Sequence, residues 1–227
     1  MKRIIFFVVI GLGGAGILIS LGVWQIQRLA WKEMILEQIE ERIIQPPVAI
    51  PEVPNRTADK YLSVTAQGYL KPEYLRVLVS QKRIGAGYKL ISPFVMDGRT
   101  ILLDRGFISV NDDLPGDIAA QVQSTVIGNL HWPEEIDKYT PAPDIAKNIW
   151  FARDVDAMAK ALNTDPIMIV LREISPNQPS IRPIPVDTQN IPNDHLQYAI
   201  TWFSLALIWG AMTAYFLQRS NKKPTET

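Results

Sequence analysis

The chain contains two histidines, His131 and His195, and no cysteine. The lack of cysteine excludes disulfides, zinc–thiolate sites, iron–sulfur clusters and thiol catalysis. Neither G-x-S-x-G nor H-E-x-x-H occurs, so triad hydrolases and the common zinc hydrolases lack their parts. The carboxylate pairs Asp112-Asp113 and Glu134-Glu135 stand in loop-like contexts, where we expect them to be solvated. These observations argue against an enzyme.

His195 is the residue best placed to do chemistry, at the start of an apolar run in PNDHLQYAITWF. Asn193 or Asp194 could cap a helix that begins here. Helical spacing then puts Tyr198 and Trp202 on the same face as His195. The partial positive charge of a helix amino terminus disfavours imidazolium, so we expect a neutral, metal-binding imidazole. A porphyrin iron would suit this face, although an ordinary interfacial histidine in an aromatic belt fits the same pattern.

A second candidate site is the glycine pattern near the amino terminus. Gly11, Gly13 and Gly16 match G-x-G-x-x-G, the spacing of a dinucleotide-binding turn. No charged residue lies between Ile4 and Gln25, and about 20 apolar residues suffice to cross a bilayer core. We therefore predict a membrane helix, in which Gly16 and nearby small residues let a second helix approach closely.

The helical segments divide the chain into five parts. They are a transmembrane helix at 4–25, an amphipathic helix at 26–45, an external domain at 46–190, a transmembrane helix at 197–217 and a tail at 218–227. Arg219, Lys222 and Lys223 follow the second span, and this basic excess predicts cytoplasmic termini and a periplasmic central domain. With no organellar transit peptide recognisable, we expect a bacterial inner membrane.

The central region reads as a β-rich domain. Predicted strands are Tyr61 to Leu70, Leu75 to Gln81, Tyr88 to Met96, Thr100 to Val110, Ser124 to Leu130, Ile149 to Ala152 and Pro166 to Glu173. Asp97-Gly98 predicts a hairpin turn, and Asp154 predicts the cap of a short helix ending at Leu162. The expected fold class is an α+β membrane protein with an antiparallel external domain, as a small barrel or sandwich. A formal net charge of zero excludes a general nucleic-acid binder.

Four segments resemble a known family. They are LGVWQIQRLAWK at Leu21 to Lys32, GYKLISPF at Gly87 to Phe94, LLDRGFI at Leu102 to Ile108 and NDHLQYAITWF at Asn193 to Phe203. In this order, and with a span at each end, they resemble the Surfeit locus protein one family of cytochrome c oxidase assembly factors. Asp194 departs from the family's usual asparagine.

The resemblance implies a non-enzymatic role, which is to bind haem a and assist its insertion into oxidase subunit I. It makes subunit I, haem a synthase and membrane lipid the expected partners. His195 is the expected axial ligand of the haem iron. Weaker expected contacts come from Trp24, Arg28, Tyr198 and Trp202, with Arg28 able to pair with a propionate. The alternative is a cofactor-free membrane scaffold that stabilises subunit I during assembly.

Overall fold

The computed structural model describes residues 2–81, 85–114, 122–189 and 191–221. Its helices are α1 (Lys2–Ile44), α2 (Val155–Leu162) and α3 (His195–Asn221). Its strands are β1 (Val48–Ala49), β2 (Ser63–Leu70), β3 (Leu75–Gln81), β4 (Gly85–Met96), β5 (Arg99–Ser109), β6 (Gln123–Leu130), β7 (Ile149–Trp150) and β8 (Met168–Ser175). The chain forms two compact units, Met1–Gln38 with Thr188–Thr227, and Ile39–Asp187. We call them the helix unit and the β unit.

The helix unit consists of α3 and most of α1, packed as an antiparallel pair. Phe7 near the start of α1 stacks on Phe216 near the end of α3, with ring centroids 6.3 Å apart. By length and composition, Ile5–Ile44 and His195–Arg219 could each cross a membrane. Because α1 is uninterrupted, the boundary at 25/26 between predicted span and amphipathic helix stays a prediction. Lys222 and Lys223, used above for orientation, lie outside the described residues.

Glycines on α1 allow the two helices to approach closely, but Gly16 is not among them. A Cβ added at Gly11 would lie 2.2 Å from a methyl carbon of Thr213, and one at Gly14 would lie 2.5 Å from the indole nitrogen of Trp209. Around Gly16 there is open space within 4 Å. The prediction for Gly16 is wrong because an α-helix advances about 100° per residue, which turns Gly16 roughly 200° away from Gly14.

The β unit contains a closed five-stranded barrel. Its strands follow the order β2-β6-β8-β5-β4, and β4 closes the ring by pairing again with β2. Every predicted strand has a counterpart among β2 to β8, with ends that differ by at most three residues. The expected barrel is confirmed, although β5 and β8 are parallel. That pairing needs a long crossover, and α2 lies within it.

Two predicted local signals of the β unit are confirmed. Asp97 and Gly98 have φ angles of 45° and 75°, so both adopt the left-handed conformation that a tight two-residue hairpin requires between β4 and β5. Asp154 caps α2 by accepting a hydrogen bond from the Ala157 amide at 3.0 Å. Turn and cap residues are predictable because they act on their immediate neighbours.

The LLDRGFI segment of β5 binds the chain around Arg182 to the barrel. Phe107 and Arg182 exchange two backbone hydrogen bonds, of 2.7 and 2.9 Å. Gly106 has a φ of 113°, and a Cβ there would lie 2.2 Å from the Arg182 carbonyl oxygen. The Arg105 guanidinium is buried and donates to the side chains of Gln178 and Ser92. In the absence of a carboxylate among these partners, burial lowers the pKa of Arg105 to about 10. This motif therefore has a structural task.

Candidate functional site

His195 is the first residue of α3 and is half-buried. The helix starts there as predicted, and the Tyr198 amide donates to the Asp194 carbonyl at 3.1 Å in its first turn. The cap predicted for Asn193 is not formed, since its side-chain oxygen is buried and has no hydrogen-bond partner within the described residues. A buried acceptor two residues from the histidine is thus unsatisfied by the described part of the chain.

The His195 imidazole is held by a glutamine of α1. Its Nδ1 lies 2.7 Å from Oε1 of Gln25, a side chain that is only 8% exposed. A carbonyl oxygen can only accept, so in this hydrogen bond Nδ1 carries the proton. The lone pair of the neutral ring is then on Nε2, the atom that can bind a metal. The pair presents a single, tautomerically defined nitrogen ligand.

Sequence reasoning missed Gln25. Two signals could have found it: Gln25 is a polar residue next to a long uncharged run, and it lies within the segment LGVWQIQRLAWK that carries the resemblance. What the sequence could not show is which of the neighbouring polar residues faces α3. Gln27, two residues along, is exposed.

The other predicted site residues lie within two turns of this pair. Trp24 and Tyr198 are 50% and 55% exposed. Arg28 is exposed, with its guanidinium carbon 4.3 Å from the ring centre of Trp31, and Trp202 is half-buried. The structure thus places all four near the His195–Gln25 pair along the helices.

Contacts between the helices show which side of the pair these residues occupy. A Cβ on Gly22 would lie 2.7 Å from the ring of Phe203, so these two residues mark one side of the helix pair. At about 100° per residue, Trp24 and Arg28 lie on the opposite side of Gln25 from Gly22. By the same count, Tyr198 lies on the opposite side of His195 from Phe203. By helical position, Trp24, Arg28 and Tyr198 therefore lie on one exposed side of the helix pair, which we call the open face.

This open face fits a flat, apolar group that carries both a metal and acidic substituents. The aromatic rings offer surface to a macrocycle, and a guanidinium pairs well with a carboxylate. Nowhere in the described residues do three or more His, Cys, Asp or Glu side chains cluster in a way that could hold a metal ion. His195 offers one imidazole nitrogen at this face, which suits a metal whose other ligands come with its own ring.

Comparison with known proteins then identifies the family. The SURF1 family model matches residues 13–207, a range that includes both the histidine and its glutamine partner. The chain belongs to the SURF1 family. The resemblance seen in the sequence motifs is thereby confirmed.

Individual members of the SURF1 family can be aligned with this chain over most of their length. The SURF1-like protein of Rickettsia prowazekii is 32% identical over 217 residues, which cover 90% of this chain and 87% of that protein. Surfeit locus protein 1 of Rattus norvegicus is 30% identical over 220 residues, covering 86% and 69%. Human Surfeit locus protein 1 is 29% identical, with 86% and 71% covered.

The β unit holds a second polar cluster, built from charged side chains. Asp104 is completely buried and accepts from Nζ of Lys89 at 3.2 Å and from Nη1 of Arg153 at 2.9 Å. Arg153 also binds Glu135 through its backbone amide, at 2.8 Å, and through Nε, at 3.0 Å. As expected, Glu135 is exposed, but Arg153 binds its carboxylate. Partial burial of the carboxylate opposes its ionisation, but the bonds from Arg153 prevail and lower the pKa of Glu135.

His131, the other histidine, lies beside this cluster and has a buried ring nitrogen. Its ring packs on Tyr61 with centroids 5.3 Å apart, and its Nδ1 is buried with no hydrogen-bond partner in the described part of the chain. Burial, together with the positive charges of Arg153 and Lys60, lowers the pKa of His131 to about 4. It is therefore neutral at physiological pH.

Proposed function

We propose that this chain binds haem a and assists its insertion into subunit I of cytochrome c oxidase. The observation that carries the proposal is the His195–Gln25 pair, which defines Nε2 as the available ligand atom beside an open aromatic face. Membership of the SURF1 family and the match of NDHLQYAITWF to the family pattern support it. In this role the protein carries a cofactor and is not an enzyme.

Each site residue has a task in the proposed carrier. His195 would hold the iron through one imidazole nitrogen, Tyr198, Trp24 and Trp202 would offer apolar surface to the macrocycle, and Arg28 would pair with a propionate. When bound, haem a would supply an iron that can coordinate the imidazole nitrogen of His195. A single protein ligand would make release of the haem easier than two strong ligands would.

The proposed setting follows from the same features. We propose that the two apolar helices cross a bacterial inner membrane, with both termini cytoplasmic and the β unit periplasmic. Haem a synthase is then the proposed source of haem a, and subunit I its destination. A binding face on membrane helices suits exchange with partners in the same membrane.

The test is the haem content of the purified protein. The full chain is expressed in cells that synthesise haem a, purified in detergent and examined by absorption spectroscopy as wild type, His195→Ala and His131→Ala. The wild type and His131→Ala should carry haem a, and His195→Ala should lose it. A wild type without haem a overturns the proposal.

Oxidase assembly in the same cells separates the carrier from the scaffold. A carrier requires His195, so His195→Ala should reduce the haem a content of subunit I. A cofactor-free scaffold would instead leave assembly intact in His195→Ala.

A further inference from the structure

We propose that Gln25 is a positioning residue for His195: its carbonyl oxygen fixes the imidazole in the Nδ1–H tautomer and so keeps the Nε2 lone pair available to the haem iron. The proposal rests on the proposed haem a binding. It assigns a task to a side chain that does not itself touch the iron.

Burial is the first argument. Gln25 is 8% exposed on a helix whose preceding residues, from Ile4, are all uncharged. Burying an amide away from water costs free energy unless it is hydrogen-bonded. The carbonyl oxygen of Gln25 meets Nδ1 of His195 at 2.7 Å, which is a well-formed bond. With the carbonyl oxygen of Gln25 turned towards the ring, as here, the cost is offset when the imidazole offers a proton at Nδ1.

Ligand strength is the second argument. A hydrogen bond from the non-ligating ring nitrogen orients a metal-binding imidazole and raises its basicity. A carboxylate in this place would strengthen the iron–nitrogen bond more than a neutral amide does. An amide acceptor thus gives a defined but moderate ligand, which suits a group that has to be handed on.

Helix adhesion is the competing explanation, because hydrogen bonds between membrane helices also help them to associate. Adhesion alone requires no particular imidazole tautomer and no effect on bound iron. A measurement on the imidazole itself therefore discriminates between the two explanations.

Nitrogen NMR of the protein without haem gives that measurement. With only two histidines in the chain, His131→Phe leaves the His195 signals alone after labelling with 15N-histidine. In this background, at a pH where the ring is neutral, His195 should carry its proton on Nδ1. Gln25→Met, which keeps the length but removes the amide, should move the proton largely to Nε2, and Gln25→Glu should keep it on Nδ1. An unchanged tautomer in Gln25→Met overturns the proposal.

Gln27→Met is the matched control, because Gln27 is exposed and lies roughly 200° around the helix from Gln25. We expect Gln25→Met to weaken haem a binding about tenfold and Gln27→Met to leave it unchanged, as second-sphere partners of metal ligands behave. Gln25→Glu should lower the midpoint potential of the bound haem, since a more basic imidazole favours ferric iron. Equal weakening by Gln25→Met and Gln27→Met, or an unchanged potential in Gln25→Glu, contradicts the positioning role.

Failure of this proposal is distinguishable from failure of haem binding. If wild-type protein binds no haem a, the proposed function fails whatever the tautomer is. If the wild type binds haem a and Gln25→Met keeps both tautomer and affinity, the function stands and Gln25 serves only helix packing.

Discussion

The buried polar side chains of the helix unit and of the β unit differ in how far their hydrogen-bonding atoms are paired. In the β unit, Asp104 is surrounded by cations, and Arg153 is in turn shared with Glu135, so the charges neutralise one another. In the helix unit, Gln25 uses one nitrogen of His195 and leaves the other as a possible ligand atom. A buried cluster whose bonds are internally satisfied has no ligand atom left to offer, although removing one of its members is costly. One that leaves a defined lone pair can bind something else.

The largest expected effect is the loss of stability in Asp104→Ala. The substitution leaves Lys89 and Arg153 buried without their shared carboxylate, and breaking a buried ion pair costs about 3–5 kcal/mol. Unfolding of the full chain in detergent, followed by tryptophan fluorescence, should show the loss, while the exposed control Asp112→Ala changes little. Haem binding lost in Asp104→Ala protein that is still folded would break the comparison, because the β cluster would then serve the site.

The next effect is the pH dependence that His131 imposes on the β unit. Its pKa is about 4 in the folded protein and 6.5 in the unfolded chain, so the unfolded chain binds more protons between these values. The free energy of unfolding therefore decreases as the pH is lowered through this window, by about 2 kcal/mol between pH 7.5 and pH 5. His131→Phe, which keeps a ring against Tyr61, should remove that part of the decline in thermal unfolding. A decline of the same size in His131→Phe would show that other groups cause it.

The smallest effect concerns helix pairing. Gly14→Leu puts side-chain atoms where the Trp209 indole lies, and overpacking of this kind costs about 1–3 kcal/mol. Because the chain has no cysteine, Phe7→Cys and Phe216→Cys provide a unique pair for a thiol crosslinker. Crosslinking should fall in Gly14→Leu and persist in Gly16→Leu, since Gly16 has open space around it. Loss of crosslinking in both variants would contradict the conclusion that Gly14, and not Gly16, faces α3.

Local signals made much of the fold predictable. The apolar runs predicted both long helices, and alternation with turn residues predicted the strands β2 to β8. The turn at Asp97-Gly98 and the helix cap at Asp154 involve only residues close by in the sequence, so both could be predicted from the local sequence. The ion pair of Glu135 was not predicted, because its partner Arg153 lies 18 residues away in the sequence. The sequence around a single acidic or basic residue does not indicate which distant residue will pair with it in the folded protein.

The sequence by itself determined the family, the two apolar helices, the β-rich domain and His195 as the candidate ligand, because composition, periodicity and motifs are properties of the linear chain. Only the tertiary structure decided that Gly14 rather than Gly16 faces the second helix, and that Gln25 meets His195. Which side of one helix faces another depends on rotation about its axis. That rotation is set by packing between residues far apart in sequence, here residues 25 and 195.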